Sequence, residues 1–270
     1  MATNPNKALW EKGDFTRLAA NMRGSGEALV ATLGITPGLR VLDLGCGDGT
    51  TALPAARLGA DVLGVDIASN LVAAGNARAA AEGLGNLRFE EGDAADLAGL
   101  ADASFDLVVS IFGAMFAPRP YDVAAEMVRV TRPGGRIVMG NWIPGDPTLV
   151  AQVLRISAGY TPPPPEGFVS PVTWGSEAEV TARFVAAGVP ADRIMFEKTT
   201  YVFDFPGPPV DFVAVFRDYY GPTMNAFAAA GDRIGDLQAE LEALFTAQNR
   251  ATEPDRTLTH ATFLKVDVRR

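Results

Sequence analysis

Along the first half of the chain, short apolar runs alternate with longer stretches in which apolar residues recur every three or four positions. Val41, Leu42 and Leu44, then Val62, Leu63 and Val65, then Leu87 with Phe89, then residues 105–111 and finally Ile137, Val138 and Met139 form the runs. Nearly continuous apolar character over so few residues is the pattern of parallel strands covered on both faces. Ahead of the first run, residues 15–33 place Leu18, Met22, Leu29 and Leu33 on one helical face before Gly34. Residues 50–58 read as a helix ended by Gly59, and Ser69 caps one that runs to Glu82 before Gly83. Pro120 opens another, in which Val123, Met127 and Val130 recur. This alternation predicts an α/β fold, a doubly wound parallel sheet with right-handed crossovers. Further on, Ser176 and Glu179 read as a capping box for a helix that stops at Gly188, and Leu237, Leu241 and Leu244 mark an amphipathic helix. Residues 1–14 are polar and read as mobile at the start.

The first run leads directly into Gly45, Cys46, Gly47, Asp48 and Gly49, so a buried strand opens a helix through a glycine loop. Such glycines permit positive φ and let a ligand lie against the backbone. A phosphate-binding P-loop needs a Lys after its last glycine, and none follows here. The dinucleotide fingerprint G-x-G-x-x-G requires a glycine where this chain has Thr50. Asp43, just before the loop, favours a ligand with a cationic end over one carrying phosphates.

Composition narrows the field further. The chain has 270 residues, 48% of them hydrophobic, enough for a substantial core and consistent with one domain. No run approaches the ~18 apolar residues of a membrane span and no apolar signal segment opens the chain, which reads as cytoplasmic and not membrane-bound. The single cysteine, Cys46, excludes an intrachain disulfide, and with one histidine no metal site is expected. A net charge of -9 argues against a nucleic-acid partner, because phosphate binding needs Lys and Arg to replace condensed counterions.

With these motifs in view, the chain resembles the class I S-adenosylmethionine-dependent methyltransferases, and in particular a group of bacterial small-molecule members. The D-x-G-x-G-x-G run matches the first motif of that family. Asp66 closes the second strand, Glu91, Gly92, Asp93 and Ala94 follow the third, and Arg132, Pro133, Gly134, Gly135 and Arg136 precede the fifth. Trp10, Gly13, Asp14 and Phe15 resemble the opening of the bacterial group, and residues 216–223 resemble a later region of it. The resemblance implies a Rossmann-like sheet of seven strands with an antiparallel last strand at 263–268 and a helical lid. It divides the single 1–270 methyltransferase domain into a cofactor cover (1–34), a cofactor-binding core (35–142), helices and insertions forming an acceptor lid (143–258) and a closing strand (259–270). S-adenosyl-L-methionine is the implied cofactor, with Asp43, Gly45, Cys46 and Gly47 around its methionine end. Cys46 would lend its backbone N–H. Asp66 and Ile67 would lie at the ribose, Gly92, Asp93 and Ala94 at the adenine, Ser110 and Phe112 beyond the fourth strand, and Trp10 and Phe15 over the top.

Methyltransferases acting on base amino groups carry an N/D-P-P-Y/F element after the fourth strand. Here residues 110–116 are an apolar wall instead, which favours a small organic acceptor methylated at O, C or N. Phe112, Met115, Asn141, Trp142, Tyr160 and Tyr219 are the candidate acceptor contacts. Asn141 and Trp142 follow the fifth strand at the carboxyl edge, where open α/β sheets bind ligands. Displacement at a sulfonium needs positioning above all, so no general base is indispensable; His260 and Tyr160 are the candidates if one is used. Pro162, Pro163, Pro164 and Pro165, with Phe168 and Trp174, read as a pocket wall or a packed surface loop. The later helices read as a lid or as a homodimer contact. Asp66 lies about 20 residues past Gly45, a spacing a NAD(P)-dependent oxidoreductase also uses, so that reading stays open. So does a non-catalytic partner subunit that binds the cofactor without turnover.

Overall fold

The computed structural model describes residue 4 and residues 6–270. In chain order they form α1 (Asn6–Glu11), α2 (Thr16–Ala19), α3 (Arg23–Ala31), β1 (Arg40–Leu44), α4 (Ala52–Arg57), β2 (Asp61–Asp66), α5 (Ser69–Ala81), β3 (Leu87–Glu91), β4 (Phe105–Ile111), α6 (Pro120–Val130) and β5 (Thr131–Trp142). The second half adds α7 (Leu149–Ala158), α8 (Glu177–Ala186), β6 (Ile194–Phe205), α9 (Pro209–Tyr219), α10 (Gly221–Ala229), α11 (Ile234–Gln248) and β7 (Thr257–Arg269). The strands make a 7-stranded sheet in the order β3-β2-β1-β4-β5-β7-β6, in which β7 runs antiparallel to both neighbours. The remaining neighbours pair in parallel, as the alternation of elements predicts.

Continuous apolar strands are explained by two cores, one on each face. Leu42, Leu63, Val108, Ile137 and Met139 enter one core, while Val41, Val62, Leu107, Val109 and Val138 enter the other. Adjacent residues point to opposite faces, so both must be apolar when helices cover both sides. Among the described residues, no helix is long and apolar enough to cross a membrane.

Several local expectations differ from the structure. Residues 15–33 do not form one helix: a 3-10 turn over Ala20–Met22 interrupts them, and Met22 leaves helical geometry at φ -125 and ψ 2. The segment 1–14 read as mobile falls partly on residues 1–3 and 5, which lie outside the described residues. Its remainder contains α1, tied to the sheet by Asn4 to Asp93 and Lys7 to Glu91. Ser69 caps nothing with its side chain, because its hydroxyl binds Glu11 at 2.6 Å. The capping box at Ser176 also lacks side-chain bonds; Glu179 instead reaches the buried Arg183 at 3.3 Å. Most consequentially, the 143–258 stretch holds, beside its helices and insertions, a 12-residue strand, β6.

Candidate active site

The loop after β1 is built from close backbone approaches. Gly45 adopts φ +68 and its N–H donates to the Val65 carbonyl at 2.7 Å, joining β1 to β2. A Cβ on Gly45 would stand 2.6 Å from the Gly113 Cα, so two glycine backbones touch where β1 and β4 end. Gly47 adopts φ +54, and a Cβ there would meet nothing within 4 Å; this loop therefore presents bare backbone to an open cleft. The cleft is lined by Asp43, Gly45, Cys46, Gly47, Asp66 and Ile67 on one side. Gly92, Asp93, Ala94, Phe112, Trp10 and Phe15 line it as well, which leaves Ser110 as the one expected cofactor contact outside the cleft.

Two of the expected residues act differently. The Cys46 N–H donates to the Val65 carbonyl at 3.1 Å, so it is not free for a ligand, and burial pushes its thiol well up. Ser110 does not line the cleft: its hydroxyl donates to the Leu44 carbonyl at 2.6 Å and accepts from the Ala114 N–H at 2.9 Å. It shapes the loop after β4 from behind.

Of the four acids that line the cleft, Asp48 pairs with Arg23 and Arg78, and the other three define the electrostatics. Asp66 accepts the Gly47 N–H at 2.8 Å and the Ala68 N–H at 2.9 Å, which aim its carboxylate; burial raises its pKa against the pull of those donors. Asp43 is 1% exposed, and one of its oxygens has no hydrogen-bond partner among the described residues. Burial, with Asp66 nearby, pushes its carboxyl up to about 8. At the other end, Asp93 is held by the Ala95 N–H at 2.9 Å and by Asn4 at 3.0 Å. Replacing Asp66 with Ala is expected to weaken cofactor binding by about 1–3 kcal/mol, the cost of losing a charged hydrogen-bonding group. Unchanged affinity in calorimetry would remove Asp66 from the site.

A second, smaller cavity of about 40 Å³ adjoins the first and shares Trp10, Phe15, Met22, Phe112 and Phe116 with it. Leu18, Trp142, Val150, Phe203, Phe216 and Tyr220 close it. Phe112 holds a left-handed backbone, φ 61, an uncommon conformation for a non-glycine residue, and stacks on Trp142 at 3.6 Å between centroids. Phe112 thereby forms a wall between the two cavities.

The structure does not bring the remaining candidates into either cavity. Met115 is core, and Asn141 is fully buried with both polar side-chain atoms unpartnered among the described residues. Tyr160 donates to Glu240 at 2.6 Å and stacks under Arg233 at 4.5 Å. Tyr219 ends α9, and its neighbour Tyr220 lines the aromatic cavity in its place. His260 pairs in register with Val202 on β6, outside both cavities, where burial lowers its pKa. Sequence reading missed Tyr201, Asp48, Thr50, Thr51 and Asn6 in the cleft. Asp48, Thr50 and Thr51 sit in or beside the glycine run and could have been found there; Tyr201 comes from the unforeseen strand β6.

A doubly wound sheet whose carboxyl edge carries an acid, bare glycine backbone and a second acid aimed by backbone N–H groups defines a nucleoside-cofactor site. A family profile described as a methyltransferase domain matches residues 42–139. An uncharacterized protein of Mycobacterium tuberculosis is 37% identical over 240 residues, covering 88% of this chain and 84% of the relative. The demethylmenaquinone methyltransferase of Beutenbergia cavernae is 41% identical over 115 residues, 43% of this chain and 45% of that protein. The solved YcgJ protein of Bacillus subtilis shares the fold with a TM-score of 0.59 at 21% identity, covering 92% of this chain and 99% of that one. The chain belongs to the class I S-adenosylmethionine-dependent methyltransferases. The residues present suit that cofactor: an unpartnered carboxylate oxygen for a cationic group, open glycine backbone, and apolar walls from Val65, Leu71 and Ile111.

Proposed function

We propose that this enzyme methylates a small, largely apolar acceptor seated in the aromatic cavity beside Phe112. The observation that carries this reading is the continuity of the two cavities, which share five residues and differ in character. Acids line the cofactor cleft; among the described residues lining the second cavity there is neither carboxylate nor imidazole. Tyr220 does not supply a phenolate base, since full burial pushes its hydroxyl up and keeps it protonated.

S-adenosylmethionine supplies a methyl group already activated on a sulfonium. What remains for the chain is orientation and exclusion of water. Holding an acceptor atom in near-attack geometry is worth roughly 7–11 kcal/mol, so walls such as Phe112, Phe116 and Trp10 can carry much of the rate. An acceptor that brings its own lone pair or ionises readily fits a cavity without a base. At about 40 Å³ the cavity is well below the ~150 Å³ of an engineered apolar cavity that holds a benzene ring. Entry of a ring therefore requires the cover to move, and α1, which buries none of its residues and lays Trp10 over both cavities, is part of that cover. The likeness to a demethylmenaquinone methyltransferase agrees with an apolar acceptor but spans under half of this chain. A cytoplasmic location belongs to the same reading.

Val150 lines only the second cavity, so Val150→Phe is expected to fill it. The overpacking costs about 1–3 kcal/mol of stability. Methyl transfer to a small aromatic thiol, phenol or amine, found by mass spectrometry as a gain of one methyl, should fall at least about tenfold, while S-adenosylhomocysteine binds as before. Undiminished turnover would place the acceptor elsewhere. Cofactor binding with no transfer to any member of such a panel would favour the non-catalytic alternative.

A further inference from the structure

We propose that Tyr201 and Asp43 clamp the zwitterionic amino-acid end of the cofactor from two sides, the phenol donating to its carboxylate and Asp43 accepting from its ammonium. This rests on the family's cofactor occupying the cleft. Tyr201 is 2% exposed, lines the cofactor cleft, and has a buried hydroxyl without a partner among the described residues. An orphaned buried hydroxyl is expensive unless something completes it. Asp43 presents a second orphaned oxygen to the same cleft, yet the two do not bond each other. A ligand group between them would satisfy both.

The place and the chemistry indicate which group. A Cβ on Gly26 would stand 3.1 Å from the Tyr201 hydroxyl and 2.5 Å from Thr50, so the phenol sits where α3 packs on the glycine loop. That is the Asp43 end of the cleft, remote from Asp93, which lies beyond β3. Tyr201 does not line the aromatic cavity; the Phe112 ring meets it edge-on at 5.0 Å and stands on the acceptor side. Burial and the Asp43 charge raise the phenol's pKa, so it remains a donor. A donor seeks an anion, and Asp43 seeks a cation, which together describe an α-amino acid. The nearby Arg23 and Arg78 both pair with Asp48, at 2.8 and 3.2 Å, and neither lines the cleft.

Tyr201 is also rigidly mounted. Ser25 on α3 accepts the Val202 N–H at 2.8 Å and donates to the Val202 carbonyl at 3.0 Å, pinning β6 to α3 one residue away. The strand thus brings to the cofactor a group from outside the stretch 42–139 that the family profile covers.

The test compares S-adenosylhomocysteine with 5′-methylthioadenosine, which lacks the amino-acid end, by calorimetry on wild type and Tyr201→Phe. Loss of one hydrogen bond to a charged group should weaken S-adenosylhomocysteine by about tenfold or more and leave 5′-methylthioadenosine within about twofold. A melting temperature close to wild type accompanies that result. Equal weakening of both compounds, or of neither, overturns the clamp. Wild type that binds neither compound overturns the cofactor reading itself and the clamp with it, a result visible before any variant is made.

Discussion

Gly113→Ala is expected to weaken binding of S-adenosylhomocysteine by about 10²-fold in calorimetry while the protein still folds. A Cβ at this position would stand 2.2 Å from the Gly45 carbonyl oxygen and 2.6 Å from the Gly45 Cα. Both are backbone atoms, so no side chain can rotate away. The backbone of Gly113 has φ -92, which alanine adopts freely, so the substitution introduces the contact without conformational strain of its own. Relief requires the loops after β1 and β4 to part by about 1 Å, and misplacement on that scale costs about 10²-fold in a positioned site. Overpacking lowers stability by about 1–3 kcal/mol, which a thermal melt would register separately. Wild-type affinity in a folded variant would show that the Gly45 to Gly113 approach does not set the shape of the cleft.

That contact illustrates what the sequence reveals and what it conceals. Gly45 is legible because it stands in a motif, next to its strand and helix. Gly113 is half of the same device, but its partner is on another strand, and nothing local marks it. The same division runs through the molecule. Strands β1 to β5 announce themselves because helices cover both faces. β6 lies at the edge, where the exposed Glu197 and Lys198 split its apolar residues into two short runs, Ile194–Phe196 and Tyr201–Phe203, that do not read as one strand. Ser69 looks like a cap, yet its hydroxyl serves Glu11 on α1, a long-range contact that spacing cannot foresee. The cofactor half of the site is readable because contiguous loops build it. The acceptor half gathers Leu18, Val150, Phe203, Phe216 and Tyr220 from separate elements. Neighbouring residues there diverge for simple geometric reasons. Trp142 faces the cavity and Asn141 the opposite side of the same strand, as a period of two requires. Helix α9 stops at Tyr219, and the extended backbone of Tyr220, φ -102 and ψ 108, turns the second ring inward instead.

Affinity for S-adenosylhomocysteine is expected to rise about tenfold per pH unit between pH 6 and 7, with close to one proton released per molecule bound. Asp43 supplies the proton. Its carboxyl lies at about 8 in the ligand-free fold, against about 4 in an unfolded chain, so below about 8 the fold holds it protonated. The associated stability is full below about pH 4, declines as pH rises, and is gone above about 8, where the ligand-free protein carries an uncompensated buried charge. An ammonium placed against Asp43 reverses the preference and expels the proton on binding. Asp66, raised in the same direction, adds to the release and cannot cancel it. Near pH 8 the gain levels off, because Asp43 is then about half ionised before binding. Asp43→Asn keeps an acceptor for the Ala52 N–H and removes the titration. It should bind more weakly at pH 8 by about 1.5–3 kcal/mol, show little pH dependence from 6 to 8, and be more stable than wild type without ligand at pH 8. Calorimetry in buffers of different ionisation enthalpy counts the proton directly. A wild type that releases none at pH 7 would mean that the ammonium does not meet Asp43, and the cofactor's amino-acid end would then have to lie against another wall of the cleft.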